Sequence, residues 1–117
     1  MPFTVQVTIP DQLIENVVRS IMDNMPEASQ SYDCVNWKYK ELDFRFVDYD
    51  TKKKHIVTKK MLLGAFPLLF TDKWPKGLLK PPYSEDEELW DEWLSQSDAT
   101  SFDAFVQLAI EGEVIYG

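Results

Sequence analysis

The run Leu42-Asp43-Phe44-Arg45-Phe46-Val47-Asp48-Tyr49-Asp50-Thr51-Lys52-Lys53-Lys54-His55-Ile56-Val57 sets the fold class. Leu42, Phe44 and Phe46 alternate with Asp43, Arg45 and Val47, the two-residue period of a strand with one buried face. Residues 48–54 are polar and turn-like, and His55 to Val57 reads as a short returning strand. Upstream, Tyr32 to Lys40 is rich in aromatic and β-branched residues, with Val35, Trp37 and Tyr39 on one side. The centre is therefore a strand followed by a hairpin, or one long bent strand with its partner. A further alternating stretch, Phe3, Val5, Val7 and Ile9 against Thr4, Gln6 and Thr8, predicts a strand over 3–9.

Helical periods lie on both sides of this centre. Pro10 and Asp11 open a helix on which Leu13, Ile14, Val17, Val18, Ile21, Met22 and Met25 form one stripe; Pro26 ends it, leaving 26–31 as a loop. Thr58 is placed to cap a helix bearing Met61, Leu62, Ala65, Phe66, Leu69 and Phe70, with a kink or restart at Pro67. Ser84 caps an acidic helix, with Glu85 to Glu88 at its positive end and Leu89, Trp90, Trp93 and Leu94 on its buried side. Thr100 or Ser101 caps a last helix carrying Phe102, Phe105, Val106, Leu108 and Ala109. Gly112 stops that helix, and Glu113 to Tyr116 reads as a terminal strand. The expected architecture is one α+β domain over 1–117, a mostly antiparallel sheet of four to five strands against three to four helices.

Composition supports a packed core: 44% of the 117 residues are hydrophobic, including 4 Trp, 5 Tyr and 7 Phe. Cys34 is the only cysteine, so neither an internal disulfide nor a CxxC metal knuckle can form. Residues 1–10 lack the basic start and long apolar stretch of a secretory signal. The longest apolar run, Met61 to Phe70, is too short for a bilayer and holds Gly64 and Pro67. The expected compartment is the cytoplasm, with no membrane partner. Charge is uneven: residues 1–40 carry a net −2, 41–80 a net +4, and 81–117 ten acids and no base. A duplex repels that last third, so nucleic acid is not expected as a partner; another protein is. The charge map permits a basic one there, although solubility and attraction between the two charged regions also account for it.

Catalytic chemistry finds little to work with. His55 is the single histidine, it follows three lysines, and nothing around Cys34 resembles a nucleophile motif. No GxSxG, phosphate loop or dinucleotide fingerprint occurs. Asp48-Tyr49-Asp50 begins like a calcium loop but meets Lys52 and Lys53 where a further oxygen ligand and glycine belong. No catalytic, metal or cofactor site is expected, and the protein is expected not to be an enzyme. Lys52, Lys53, Lys54, Lys59 and Lys60, without an arginine among them, read as a solubilised hairpin edge. The candidate partner contacts are Trp74, Leu78 and Tyr83 on the Pro-rich loop 74–83, with Glu87, Glu88, Asp91 and Glu92 on the acidic helix. On the bland reading the loop is a lid over the core and the acids are a solvated helix face.

The run from Asp98 to Gly117 sets Asp98, Thr100, Asp103, Phe105 and Gln107 before Gly112-Glu113 and a closing Tyr116-Gly117. It resembles the end of a group of small uncharacterised bacteriophage and mobile-element proteins, and Pro67 with Phe70 looks like their upstream Pro–Phe helix. The resemblance covers about residues 60–117; Glu111 stands where that group often has an aromatic residue. It implies an accessory protein of phage or integrated elements and no particular reaction, with Gln107, Glu113 and Tyr116 as the polar positions to test. As architecture, Thr100 and Asp103 make a capping arrangement, Gln107 bonds off a helix face, and Val114 to Tyr116 returns to the sheet. A protein–protein interaction module is the leading expectation. A nucleic-acid-mimicking inhibitor, an enzyme using carboxylates or Cys34, and a structural homo-oligomer stand as alternatives.

Overall fold

A computed structural model describes residues 8–28 and 30–116. Helix α1 (Asp11–Asp23) buries Leu13, Val17, Val18, Ile21 and Met22, the stripe that its three- and four-residue spacing predicts. A four-residue helix α2 (Met25–Ala28) follows, where the sequence predicted a loop. Pro26 does not end helical structure; it sits in the first turn of α2, where a missing N–H breaks no helical bond.

Strands β1 (Tyr32–Lys38), β2 (Asp43–Asp48) and β3 (Lys54–Val57) form an antiparallel sheet in that order. Phe44 and Phe46 of β2 and Val57 of β3 are fully buried on its helix-facing side. A bulge between Cys34 and Asn36 shifts the register of β1, so Asn36 pairs with Arg45 and Trp37 with Phe44. The single face expected for Val35, Trp37 and Tyr39 is thereby broken. Trp37 moves to the side of Phe44, although it stays 49% exposed at the sheet margin. The β1–β2 turn closes with Leu42 N–H donating to Tyr39 C=O at 3.0 Å, and Leu42 itself is left-handed (φ 50°) with a fully buried side chain. Arg19 of α1 holds that turn down, donating to the carbonyls of Tyr39 (3.2 Å) and Lys40 (3.0 Å) while the Tyr39 hydroxyl donates to Arg19 C=O (3.1 Å).

Helix α3 (Lys59–Ala65) starts at Thr58, whose hydroxyl accepts from Met61 N–H, as expected. Pro67 converts its continuation into a 3-10 segment, Phe66–Phe70. Lys59 also bonds Glu15 at 2.6 Å, tying α3 to α1. Helix α4 (Glu87–Gln96) is capped by Asp86, not Ser84, and α5 (Ala99–Glu111) by Asp98, not Thr100 or Ser101. In both cases an aspartate carboxylate two or three residues upstream of the free N–H takes it instead. Helix α5 is the central element: every residue from Ser101 to Leu108 is buried, so its period marks no outer face. Gly112 (φ 76°) supplies the left-handed stop.

The α+β class holds, but the described sheet has three strands instead of four to five. Four helices exceed one turn, with α2 as a short addition. The strand predicted over 3–9 falls for residues 3–7 outside the described residues, and Thr8 to Pro10 carry no regular structure. Residues 113–116 follow the α5 stop without joining a ladder. No described helix is long and apolar enough to cross a membrane.

Candidate functional site

The Pro-rich loop is held down by tryptophan. Trp74 (6% exposed) and Trp93 both donate their indole N–H to Leu79 C=O, at 3.2 and 3.1 Å, and Trp90 donates to Ser84 C=O at 2.8 Å. Three amphipathic rings thus satisfy loop carbonyls while their faces fill the core, where Trp90 lies 5.4 Å from Phe66 and 5.5 Å from Trp93. Trp74, named above as a contact residue, is a core residue. Leu78 is half-buried, whereas Tyr83 is 61% exposed with its ring 5.0 Å from Phe70.

Helix α4 buries Trp90 and Trp93 but not Leu89, which is 44% exposed. Leu89, Glu92, Trp93 and Gln96 meet Leu79, Lys80 and Pro82 across a shallow groove of about 180 Å³. Helical geometry sets Glu88 on the flank of Glu92, and Glu87 on that of Asp91, each pair one turn apart. Asp91 lines a different groove, toward Ser20 and Asp23 of α1. The four acids therefore face two flanks. Among the described residues, none of Glu85 to Glu88, Asp91 or Glu92 has an ion-pair partner.

A second constellation joins the C-terminal polar residues. Asp103 is buried inside α5, and its carboxylate accepts from Gln30 N–H (3.0 Å), Ser31 N–H (2.8 Å), Ser31 Oγ (2.6 Å) and Gln107 Nε2 (2.9 Å). It is no part of a helix cap. Gln107 Oε1 accepts from the N–H groups of Ile115 and Tyr116, both at 2.9 Å, so one side-chain amide stands where a neighbouring strand was expected. The Tyr116 hydroxyl donates to Asp48 Oδ2 at 2.5 Å; Asp48 Oδ1 accepts from Asp50 N–H (2.8 Å) and Thr51 N–H (3.1 Å). The apparent calcium-loop start is thus an aspartate that closes its own hairpin turn. Glu113 lies 3.8 Å from Lys73.

Part of this constellation borders a cleft of about 630 Å³, floored by Ser31, Asp103 and Gln107 and walled by Pro75, Leu78 and Val114 to Tyr116; Asp48 and Glu113 lie outside its lining. Its floor oxygens already accept from internal donors; Asp72, Lys73 and Thr100 make the rest of the lining partly polar, and Pro75, Leu78 and Ala104 supply carbon. His55 is half-buried, not solvent-facing: its ring lies 5.7 Å from that of Tyr32. Both Tyr32 Oη and His55 Nε2 are buried without a hydrogen-bond partner. Burial first, then the nearby carboxylates of Glu111, Asp48 and Asp103, raises the Tyr32 phenol far above its usual range. Cys34 and His55 both pair with Phe46, so a whole strand, two spacings or about 10 Å, separates them. Burial pushes the Cys34 thiol up to about 11, the reverse of nucleophile activation. No described group of three His, Cys, Asp or Glu residues converges as a metal site.

Asp48, Asp103 and Ser31 were not picked out as site residues from sequence. The available signal was polarity inside an apolar period, since Asp103 and Gln107 are one turn apart on a helix otherwise occupied by Phe102, Phe105, Val106 and Leu108. The Tyr116–Asp48 contact leads to a pH prediction. The Tyr116 hydrogen bond, then the backbone N–H groups of Thr51 and Asp50, lower the Asp48 pKa against burial; nearby His55 acts in the same direction. Asp48 raises that of Tyr116 to about 12, with burial, Asp50 and Glu111 adding to the shift. The Asp48 contribution to stability is present above the ordinary carboxylate pKa and lost as pH falls through its lowered value. The Tyr116 contribution is present below about pH 10 and lost as pH rises through about 12. The stability difference between the wild type and Tyr116→Phe is expected to be flat from about pH 5 to 9 and to shrink toward both extremes. Denaturation at stepped pH measures it, and a difference that grows at either end would contradict the assignment.

Compared with family models, curated proteins and solved structures, the chain matches none.

Proposed function

We propose that the protein is a non-enzymatic interaction module that receives a basic, amphipathic protein segment along α4 and the adjoining loop. The observation behind this reading is the groove flank itself: Leu79 and Leu89, each 44% exposed, lie beside an acidic helix with no cation paired to it among the described residues. Exposed aliphatic groups beside carboxylates fit a partner that presents an apolar anchor flanked by Lys or Arg. Glu88 and Glu92 border this flank, Tyr83 adds an exposed ring on the same loop, and the Glu87–Asp91 flank adds long-range attraction. The role as an accessory factor of phage or integrated elements is part of the proposal and rests on the C-terminal resemblance alone.

The test replaces Leu89 with Asp in one variant and Glu92 with Lys plus Glu88 with Gln in another. Gln at 88 avoids placing a cation at the positive helix end. Affinity capture from the source cell, followed by titration of the captured protein, is expected to show at least tenfold weaker association for either variant. Wild-type binding should also weaken with added salt. Unchanged capture by folded variants would refute the proposal, and a partner displaced competitively by duplex DNA would favour the nucleic-acid mimic instead.

A further inference from the structure

We infer that Glu113–Tyr116 is a strap that opens and closes the cleft between α5 and the Trp74 loop, with Gly112 as its hinge. The cleft of about 630 Å³ has one side in α5 (Thr100, Asp103, Ala104, Gln107) and another on the loop (Lys73, Pro75, Leu78). The loop is pinned through Trp74 and Trp93 to Leu79. The remaining wall is the strap: Val114, Ile115 and Tyr116.

The strap is fastened by side-chain hydrogen bonds, and its Val114 and Tyr116 also pack on the margin of the core, the Tyr116 ring 6.1 Å from that of Tyr32. Gln107 takes the two backbone N–H groups and donates to Tyr116 C=O at 3.4 Å, Tyr116 reaches Asp48, and Glu113 reaches Lys73 on the opposite wall. Each fastening can be released without breaking the sheet ladder or an α5 backbone bond. After release, Gln107 still donates to Asp103 and Ser31, and the freed strap N–H groups meet water. Gly112 already sits at φ 76°, in a region where a glycine turns at little cost. Opening uncovers Gln107 Oε1, which then takes its donors from water, and adds the carbon surface of Pro75, Leu78 and Ala104 to what solvent reaches. Closing hides it. Segments held by few contacts open at far lower free energy than the core they rest on.

Amide hydrogen exchange on the full chain tests this. The Ile115 and Tyr116 amides are expected to exchange at least tenfold faster than those of Val106 and Leu108 in α5. Tyr116→Phe should quicken the two strap amides by about a further tenfold and leave α5 unchanged. The same variant should bind 1-anilinonaphthalene-8-sulfonate more strongly, read as increased emission. Lys73→Gln, which touches no buried group, should act in the same direction more weakly. Strap amides that exchange in step with α5 in the wild type would overturn the inference. So would uniform acceleration of all amides in both variants, or faster strap exchange with no gain in emission.

Discussion

Asp103→Ala is expected to destabilise the protein by about 3–5 kcal/mol, lowering Tm by roughly 10–20 °C. Removing the carboxylate breaks four hydrogen bonds at once, from the backbone N–H groups of Gln30 and Ser31, the Ser31 hydroxyl and Gln107 Nε2. Of these donors only Gln107 keeps other, longer contacts, to Ser31 Oγ and Tyr116 C=O. Each buried donor left unmade costs about 1–3 kcal/mol, partly relieved where water enters from the cleft. Alanine returns only about half a kcal/mol through its better helix propensity, so the loss dominates. Asp103→Asn separates the terms. Its carbonyl still accepts the two backbone N–H groups, and the Ser31 hydroxyl can turn, but its amide meets the Gln107 amide donor to donor. About half the effect is expected. Thermal and urea unfolding followed by circular dichroism measure both variants, and an alanine variant within about 1 kcal/mol of wild type would show that Asp103 is dispensable.

Trp90→Ala should cost a similar amount, about 3–5 kcal/mol, for a different reason. The indole is fully buried against Phe66, Phe70 and Trp93, and truncation leaves a hole that three rigid rings cannot close. Trp90→Phe keeps much of the ring volume but leaves Ser84 C=O without its donor, for an expected loss of about 1–2 kcal/mol. Amide exchange near Ser84 should then rise more than exchange near Leu79, which Trp74 and Trp93 still hold. Equal rises at both places would mean that the three tryptophans act as one block.

Much of the fold was legible because its signals are periodic. The α1 stripe, the alternation in β2, the Thr58 cap, the restart at Pro67 and the Gly112 stop each follow from residue type and spacing. What stayed hidden depends on contacts distant in sequence. The bulge after Cys34 has no local marker, and it alone moved Trp37 to the other face. Asp86 and Asp98 displaced the expected caps because several candidates stood within a few residues, and only backbone direction chooses among them. At the candidate site, Gln107 and Tyr116 were singled out on a resemblance, and the structure joins them to each other and to Asp48. Asp103 was mistaken for a cap residue because two of its partners, Gln30 and Ser31, lie more than seventy positions away.

The left-handed Leu42 has a consequence for the order of events in folding. The four-residue hairpin loop Tyr39 to Leu42 closes on a left-handed residue, a position that normally takes glycine or asparagine, and leucine costs roughly 1–2 kcal/mol in that conformation. Complete burial of the side chain offsets that cost, but only once α1 and the rest of the core are in place. The hairpin from Tyr32 to Asp48 is therefore a poor local nucleus, and a peptide of that segment should stay unfolded in water. The β1–β2 turn should form late, with α1 docked and the chain already collapsed, so substitutions in the turn should change the unfolding rate more than the refolding rate.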